Sequence, residues 1–169
     1  LVEYNNPATM GNMTFVDKIL NAFFASVTPR TAGFNSISTT EMTMAGKLMT
    51  IILMFIGGAS GSTAGGLKVT TFGVLLFTII SVLKGRDDTE VFGRKFTKET
   101  VYKAFTLLFI AMLLVLTVTT ILTITEPDKL FINLLYEATS AFGTVGLTEG
   151  VTQSIGEVST ITLIITMYF

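Results

Sequence analysis

Apolar residues in this chain fall into runs of two lengths, separated by short polar segments. Val16 to Val27 and Lys129 to Ser140 are helix-compatible stretches of about twelve residues, a rise of about 18 Å against a hydrocarbon layer of about 30 Å. In a membrane such a helix would enter partway and turn back. Ala104 to Ile124 is uncharged and, at about 21 residues, long enough to span once. Lys47 to Ile56 and Leu67 to Leu83 would form one long apolar region but for the segment between them. Ile155 to Phe169 starts another helix that is too short to cross, so the chain reads as a piece of a longer protein. Leu1 to Asn12 is polar and turn-rich, carries no cationic leader region, and reads as an external loop. Thr14-x-x-Asp17 predicts a capping box for the first short helix. Thr28-Pro29 should end that helix, because the residue before a proline is pushed out of the α region.

Both short runs lead into the same motif. Thr28-Pro29-Arg30-Thr31-Ala32-Gly33-Phe34-Asn35 returns as Ala141-Phe142-Gly143-Thr144-Val145-Gly146-Leu147-Thr148, both reading T-x-G, a large apolar residue and a small polar one. The unit of short helix, glycine-bearing loop and longer helix therefore repeats with a period of about 113 residues. A single T-x-G is an ordinary turn; two at matching points, each after a helix too short to span, suggest a pore.

The break between Ile56 and Leu67 consists of Gly57, Gly58, Ala59, Ser60, Gly61, Ser62, Thr63, Ala64, Gly65 and Gly66. Each of its five glycines weakens a helix by about 1 kcal/mol relative to alanine, so the helix must break here. Irregular backbone at membrane depth persists only where protein or a water-filled cavity satisfies it, which puts this insert on a conduction path as a candidate gate. Lys68, just beyond, is an intramembrane charge and joins that candidate site. The blander readings are a close helix-packing stripe for the glycines and a snorkelling role for Lys68. A nucleotide-binding loop is disfavoured, since no Gly-Lys-Ser/Thr motif is present after the glycines.

Composition favours a membrane setting: 50% of residues are hydrophobic, 14% are charged and mean hydropathy is +0.68, against about 25% charge in a soluble domain. With no cysteine and no histidine, thiol chemistry and the commonest general base are missing, which argues against an enzyme. A net charge of −1 argues against nucleic acid. The soluble-looking linker Lys84 to Lys103 holds Lys84, Arg86, Arg94, Lys95, Lys98 and Lys103 against Asp87, Asp88, Glu90 and Glu99. The positive-inside rule makes it cytoplasmic and turns both T-x-G loops outward. Glu126, Asp128 and Glu149 would then sit near an outer mouth and concentrate cations, while Arg30 sits awkwardly beside its loop. The chain thus divides into 1–83, the linker 84–103, and 104–169.

These residues resemble the Trk/Ktr/HKT potassium transporters, most closely the KtrB-like pore subunit. The resemblance rests on Thr31-Ala32-Gly33-Phe34, on Gly143-Thr144-Val145-Gly146-Leu147, and on the Gly57 to Gly66 insert with Leu67-Lys68 directly after it. It implies an all-α, multi-pass membrane protein of the bacterial plasma membrane, in which four units of helix, re-entrant pore loop and helix surround one pore. The present chain would carry the third unit's pore helix, filter and glycine-broken inner helix, and most of the fourth unit. Potassium is the implied cargo, with sodium as the second candidate ion, coordinated by backbone carbonyls of Thr31, Ala32, Gly33, Thr144, Val145 and Gly146. The resemblance also implies an intramembrane gate at Gly57 to Gly66, contact with membrane lipid, a homodimer of pore subunits and a cytoplasmic nucleotide-binding regulatory ring. The rival classes are a secondary transporter with a substrate site at the broken helix and a packing module without transport. The first would want helix N-termini at the loops, whereas here helix C-termini approach them.

Overall fold

A computed structural model describes residues 2–62, 64–85, 89–91 and 94–168. Thr63 of the glycine-rich insert and Arg86, Asp87 and Asp88 of the linker lie outside the described residues. The elements in order are α1 (Phe15–Val27), α2 (Met44–Phe55), α3 (Val69–Leu83), a two-residue antiparallel pair β1 (Glu90–Val91) and β2 (Arg94–Lys95), α4 (Lys98–Thr125), α5 (Phe131–Phe142) and α6 (Glu157–Thr166). The chain is an all-α membrane protein; the small β pair sits in the linker and builds no layer.

Helix starts obey local polar chemistry. Thr14, Thr43 and Thr97 cap α1, α2 and α4, each hydroxyl accepting from the backbone N–H three residues on. Thr14 Oγ1 also donates to Asp17, so the pair predicted to box the start of α1 meets side chain to side chain, where a full capping box would use the Thr14 N–H. Glu126 caps α6 from a distance: its Oε1 accepts from Gly156 N at 2.7 Å and Ser159 Oγ at 3.0 Å, a carboxylate at the positive end of a helix.

At Thr28 the structure corrects the expected backbone. Thr28 stays right-handed helical at φ −56° and ψ −33°. The helix ends there because Pro29 has no N–H with which to continue the ladder; Arg30 N then turns back to Val27 O at 3.0 Å, and Ala32 N and Gly33 N to Thr28 O at 3.1 and 3.4 Å.

α4 is the one described helix long and apolar enough to cross a membrane, with mean hydropathy 2.7 over its best window. It begins at Lys98, so the last part of the linker forms its first turns. One stripe, Ala104, Ala111, Val115, Val118, Thr119 and Leu122, is buried, while Phe105, Phe109, Ile110, Leu113 and Ile124 remain exposed. Its threonines are adapted to a dry setting: Thr106, Thr117, Thr119, Thr120, Thr123 and Thr125 each donate back to the carbonyl four residues earlier. Thr78, Thr160, Thr162 and Thr166 do the same on α3 and α6. A hydroxyl satisfied by its own helix carries no unpaired polar group into lipid.

The core sits on α5. Its residues Leu134 and Tyr136 to Ala141 are buried, and it packs against α2, α4 and α6. Val118, Leu122, Leu134, Ala138 and Leu163 form one cluster; Ile51, Met54, Tyr136, Val145 and Leu147 form a second that includes the loop after α5. α1, the counterpart of α5 in the repeat, has no buried residue. The two copies share local structure and differ in surroundings.

The N-terminal segment is tied down by one carboxylate. Glu3 accepts from Thr43 N at 2.9 Å and from Thr43 Oγ1 through Oε1, and from Asn6 Nδ2 at 2.7 Å and Thr9 Oγ1 at 3.0 Å through Oε2. Burial alone would raise its pKa, but the bonds from Thr43, Asn6 and Thr9 together hold it below the ordinary carboxylate value of 4.5. A pKa depressed on folding means stabilisation that is full above the unfolded value and lost as pH falls through the folded one. Thermal melting in detergent should therefore drop on acidification below about pH 4.5, and Glu3→Gln should flatten part of that drop. An identical acid limb in both proteins would show that the carboxylate does not anchor the segment.

Candidate functional site

The two T-x-G loops adopt the same unusual backbone. Thr31 has φ 65° and Thr144 φ 50°, and they are the only non-glycine residues with positive φ among the described residues. Gly33 and Gly146, two positions on, have φ 73° and 85°. A β-branched residue in the left-handed region costs about 1–3 kcal/mol, so finding one at the equivalent point of each repeat marks an imposed conformation. The intervening Ala32 and Val145 do not share it. Each loop therefore alternates left-handed, ordinary, left-handed.

The loops also meet. A Cβ on Gly33 would lie 2.5 Å from Val145 O and 3.6 Å from Gly146 Cα, and a Cβ on Gly146 would lie 3.8 Å from Gly33 Cα. The two repeats thus approach each other glycine to glycine, beyond the C-terminal ends of α1 and α5.

A hydroxyl from the end of each short helix clasps its loop. Thr28 Oγ1 donates to Phe34 O and accepts from Phe34 N at 3.1 Å; Ser140 Oγ donates to Leu147 O at 2.6 Å. Phe34 and Leu147 both stand directly after the glycine, so the same bond closes both loops from positions one residue out of register. Because of that offset, aligning the two T-x-G motifs does not bring the clasping hydroxyls into line. Thr39 Oγ1, on the segment leaving the first loop, donates to Thr148 O at 2.6 Å and ties the two exits together.

The glycine-rich insert is a closed loop with a hydrogen-bonded neck. Leu67 N donates to Phe55 O at 3.1 Å, Gly57 N to Leu67 O at 2.8 Å and Val69 N to Gly58 O at 3.2 Å, a parallel bridge that joins the end of α2 to the start of α3. Glycine is needed at the neck, since a Cβ on Gly57 would fall 2.1 Å from Gly65 O. Ser62 Oγ donates to Ala59 O at 2.7 Å, and the hydroxyls of Ser60 and Thr70 bond each other. Lys68 folds the tip back: its Nζ donates to Ser62 O at 3.2 Å and to Ala64 O. Gly65 N donates to Thr144 Oγ1 at 3.0 Å, placing the insert directly against the second T-x-G loop. Ala59 to Ser62 form the exposed tip. Beside the insert, Gly66, Leu67, Lys68, Leu114 and Phe142 border a cavity of about 240 Å³.

Of the acids expected at an outer mouth, Asp128 is exposed, Glu126 caps α6, and Glu149 departs from expectation. Glu149 is 5% exposed and its Oε2 lies 2.6 Å from Lys47 Nζ, which also donates to Asn133 Oδ1 at 3.3 Å. It is neutralised inside the protein because an ammonium from α2 reaches it. Arg30 is exposed. Glu137, which belongs to no sequence motif, is buried on α5 and accepts from Glu149 N at 2.9 Å, Thr152 Oγ1 at 2.7 Å and Thr148 Oγ1. Lys47 and Glu137 are visible in the sequence as lone charges in apolar runs, but nothing local names their partners.

Two units of short helix, clasped glycine loop and succeeding segment, converging on each other in a lipid-adapted helical protein, define the class: an all-α membrane protein of repeated helix–loop–helix build. The chain belongs to the TrkH family of cation transport proteins, whose family profile matches residues 2–169. Among curated relatives it is 43% identical to the potassium/sodium uptake protein NtpJ of Enterococcus hirae and 40% identical to the Ktr system potassium uptake protein B of Bacillus subtilis, each over 99% of this chain and 38% of the relative. It is 38% identical to the Ktr system potassium uptake protein B of Vibrio alginolyticus, over 99% of this chain and 36% of that protein. The chain thus spans little more than a third of the length of these relatives.

Proposed function

We propose that this chain forms part of the pore subunit of a potassium uptake system in a bacterial plasma membrane, passing ions passively down their gradient. The observation that carries the reading is the matched left-handed pair in each loop, Thr31 with Gly33 and Thr144 with Gly146, meeting at the two glycines. Backbone that alternates in handedness turns successive carbonyls to one side. The carbonyls of Thr31, Ala32, Gly33, Thr144, Val145 and Gly146 then replace the hydration shell of potassium, with sodium as the competing ion. The C-terminal ends of α1 and α5 add partial negative charge towards the same point.

Gly57 to Gly66 serves as the gate, held in one state by the Lys68 bonds and by Gly65 against Thr144. On this basis 1–83 is the third pore unit, 84–103 the cytoplasmic linker and 104–169 most of the fourth. Further pore units cover the exposed α1. The relatives' names speak of potassium uptake and of Ktr systems, which supports a transporter over an enzyme and is consistent with partner subunits. Those partners, by family resemblance, are a second pore subunit and a cytoplasmic nucleotide-binding ring.

The test is flux through the intact protein in proteoliposomes, with potassium and sodium compared. Faster potassium entry is expected; equal rates, or none, would sink the reading. Topology is tested separately. This chain has no cysteine, and Lys98, at the start of α4, is exposed. In an intact protein cleared of other cysteines, Lys98→Cys should react with an impermeant maleimide only after the membrane is opened. Labelling from outside in sealed cells would invert the proposed orientation.

A further inference from the structure

Behind the second T-x-G loop, a buried carboxylate gathers the backbone that leaves it. Glu137 lies near the middle of α5, 5% exposed. Its Oε1 accepts from Thr148 Oγ1 and from Glu149 N at 2.9 Å, and its Oε2 accepts from Thr152 Oγ1 at 2.7 Å. All three contacts bring a donor to the carboxyl, the pattern of an ionised, acceptor-only group. A second anchor holds the same segment, for Glu149 meets Lys47 Nζ at 2.6 Å and so fastens the loop's exit to α2.

The first repeat has nothing comparable. The residue equivalent to Glu137 is Phe24, which is exposed, and among the described residues its loop is held by the Thr28 hydroxyl and by the tie from Thr39 Oγ1 to Thr148 O. Two loops of the same backbone conformation are therefore supported unequally: among the described residues, one is held by hydroxyls only, the other by a hydroxyl, a buried carboxylate and an ion pair.

We infer that Glu137 is a positioning residue for ion selection: by fixing Thr148 and Glu149 it holds Val145, Gly146 and Leu147 rigid, making the second loop the stiff half of the filter and the first the compliant half. This rests on the filter reading proposed above. Selection by carbonyl geometry requires that at least one set of carbonyls resist collapse onto a smaller ion. Glutamine at 137 keeps the shape but removes the charge: its amide N–H turns the Thr152 hydroxyl from donor to acceptor, and the bonds from Thr148 Oγ1 and Glu149 N, no longer charge-assisted, hold the exit of the loop less firmly.

The experiment compares intact wild-type protein, Glu137→Gln and the exposed-site control Glu157→Gln in proteoliposomes, measuring the potassium-to-sodium permeability ratio and the amount of inserted protein. The ratio should fall about tenfold in Glu137→Gln through a rise in sodium permeation, the size expected for replacing charge-assisted bonds by neutral ones, and should not move in Glu157→Gln. A wild-type ratio in inserted Glu137→Gln overturns the inference. If Glu137→Gln does not insert, Thr152→Val, which removes one donor at an exposed position, is read instead; a lowered ratio supports the inference and an unchanged ratio overturns it. Absence of potassium selectivity in the wild type would overturn the filter reading itself, so the two failures are distinguishable.

Discussion

Gly33→Ser is expected to lower the potassium-to-sodium permeability ratio more than Gly146→Ser does. Both glycines sit at positive φ, 73° and 85°, where any side chain costs about 1–3 kcal/mol and relaxes by turning its carbonyl away. Gly33 carries a further penalty. Its Cβ would stand 2.5 Å from Val145 O, a backbone atom that cannot give way without displacing the opposite loop, whereas the nearest neighbour for a Cβ on Gly146 is at 3.8 Å. Gly146→Ser should therefore reduce selectivity by about tenfold through its own loop, and Gly33→Ser should disturb both loops and reduce it further. Alanine should preserve the order at each site. Permeability ratios from reversal potentials or paired flux assays decide this, and unchanged selectivity in both serine variants would remove the filter assignment.

Deleting Ser60 to Ala64 is expected to raise ion flux and weaken its dependence on a cytoplasmic regulator. The deletion takes out the carbonyls of Ser62 and Ala64 to which Lys68 is bonded, and spares the neck formed by Leu67 N with Phe55 O and Gly57 N with Leu67 O. Ala59 to Ser62 are exposed and bury nothing, so folding should survive, as shortening a loop changes its closure entropy only slightly. Lys68, freed, can turn into the adjoining cavity of about 240 Å³. On the gate reading proposed above, the closed arrangement then keeps only the Gly65 N bond to Thr144 Oγ1, and the population shifts towards the open one. A folded, inserted deletion protein with unaltered flux and regulation would reduce the insert to a break in the helix.

Much of the architecture is legible in the sequence because it depends on local chemistry. Thr14, Asp17 and Pro29 bracket α1, five glycines break the helix after Phe55, and an uncharged run gives α4. The T-x-G repeat points to the two loops where, among the described residues, a non-glycine residue turns left-handed. What resists reading is set across long separations. Glu149 looks like a free mouth carboxylate until Lys47, from α2, is found against it. Glu137 looks like a stray charge until Thr148, Glu149 and Thr152 fold back over it. Glu3 looks like part of a polar loop, yet it caps Thr43 at the head of α2. In each case a buried charge finds partners in another element, and no periodicity encodes that choice. The unlike settings of α1 and α5 are hidden for the same reason, since exposure belongs to the packing and not to the repeated motif.

The central claim, that the two T-x-G loops form one cation site between them, is tested most directly by locating an ion. Thallium, a heavy surrogate for potassium, gives anomalous scattering that fixes its position in crystals of the intact protein. A peak between the Thr31 to Gly33 and Thr144 to Gly146 backbones, displaced by excess potassium and much less by sodium, is the predicted result. Well-ordered loops with no thallium between them, or a peak that sodium displaces as readily as potassium does, would contradict it.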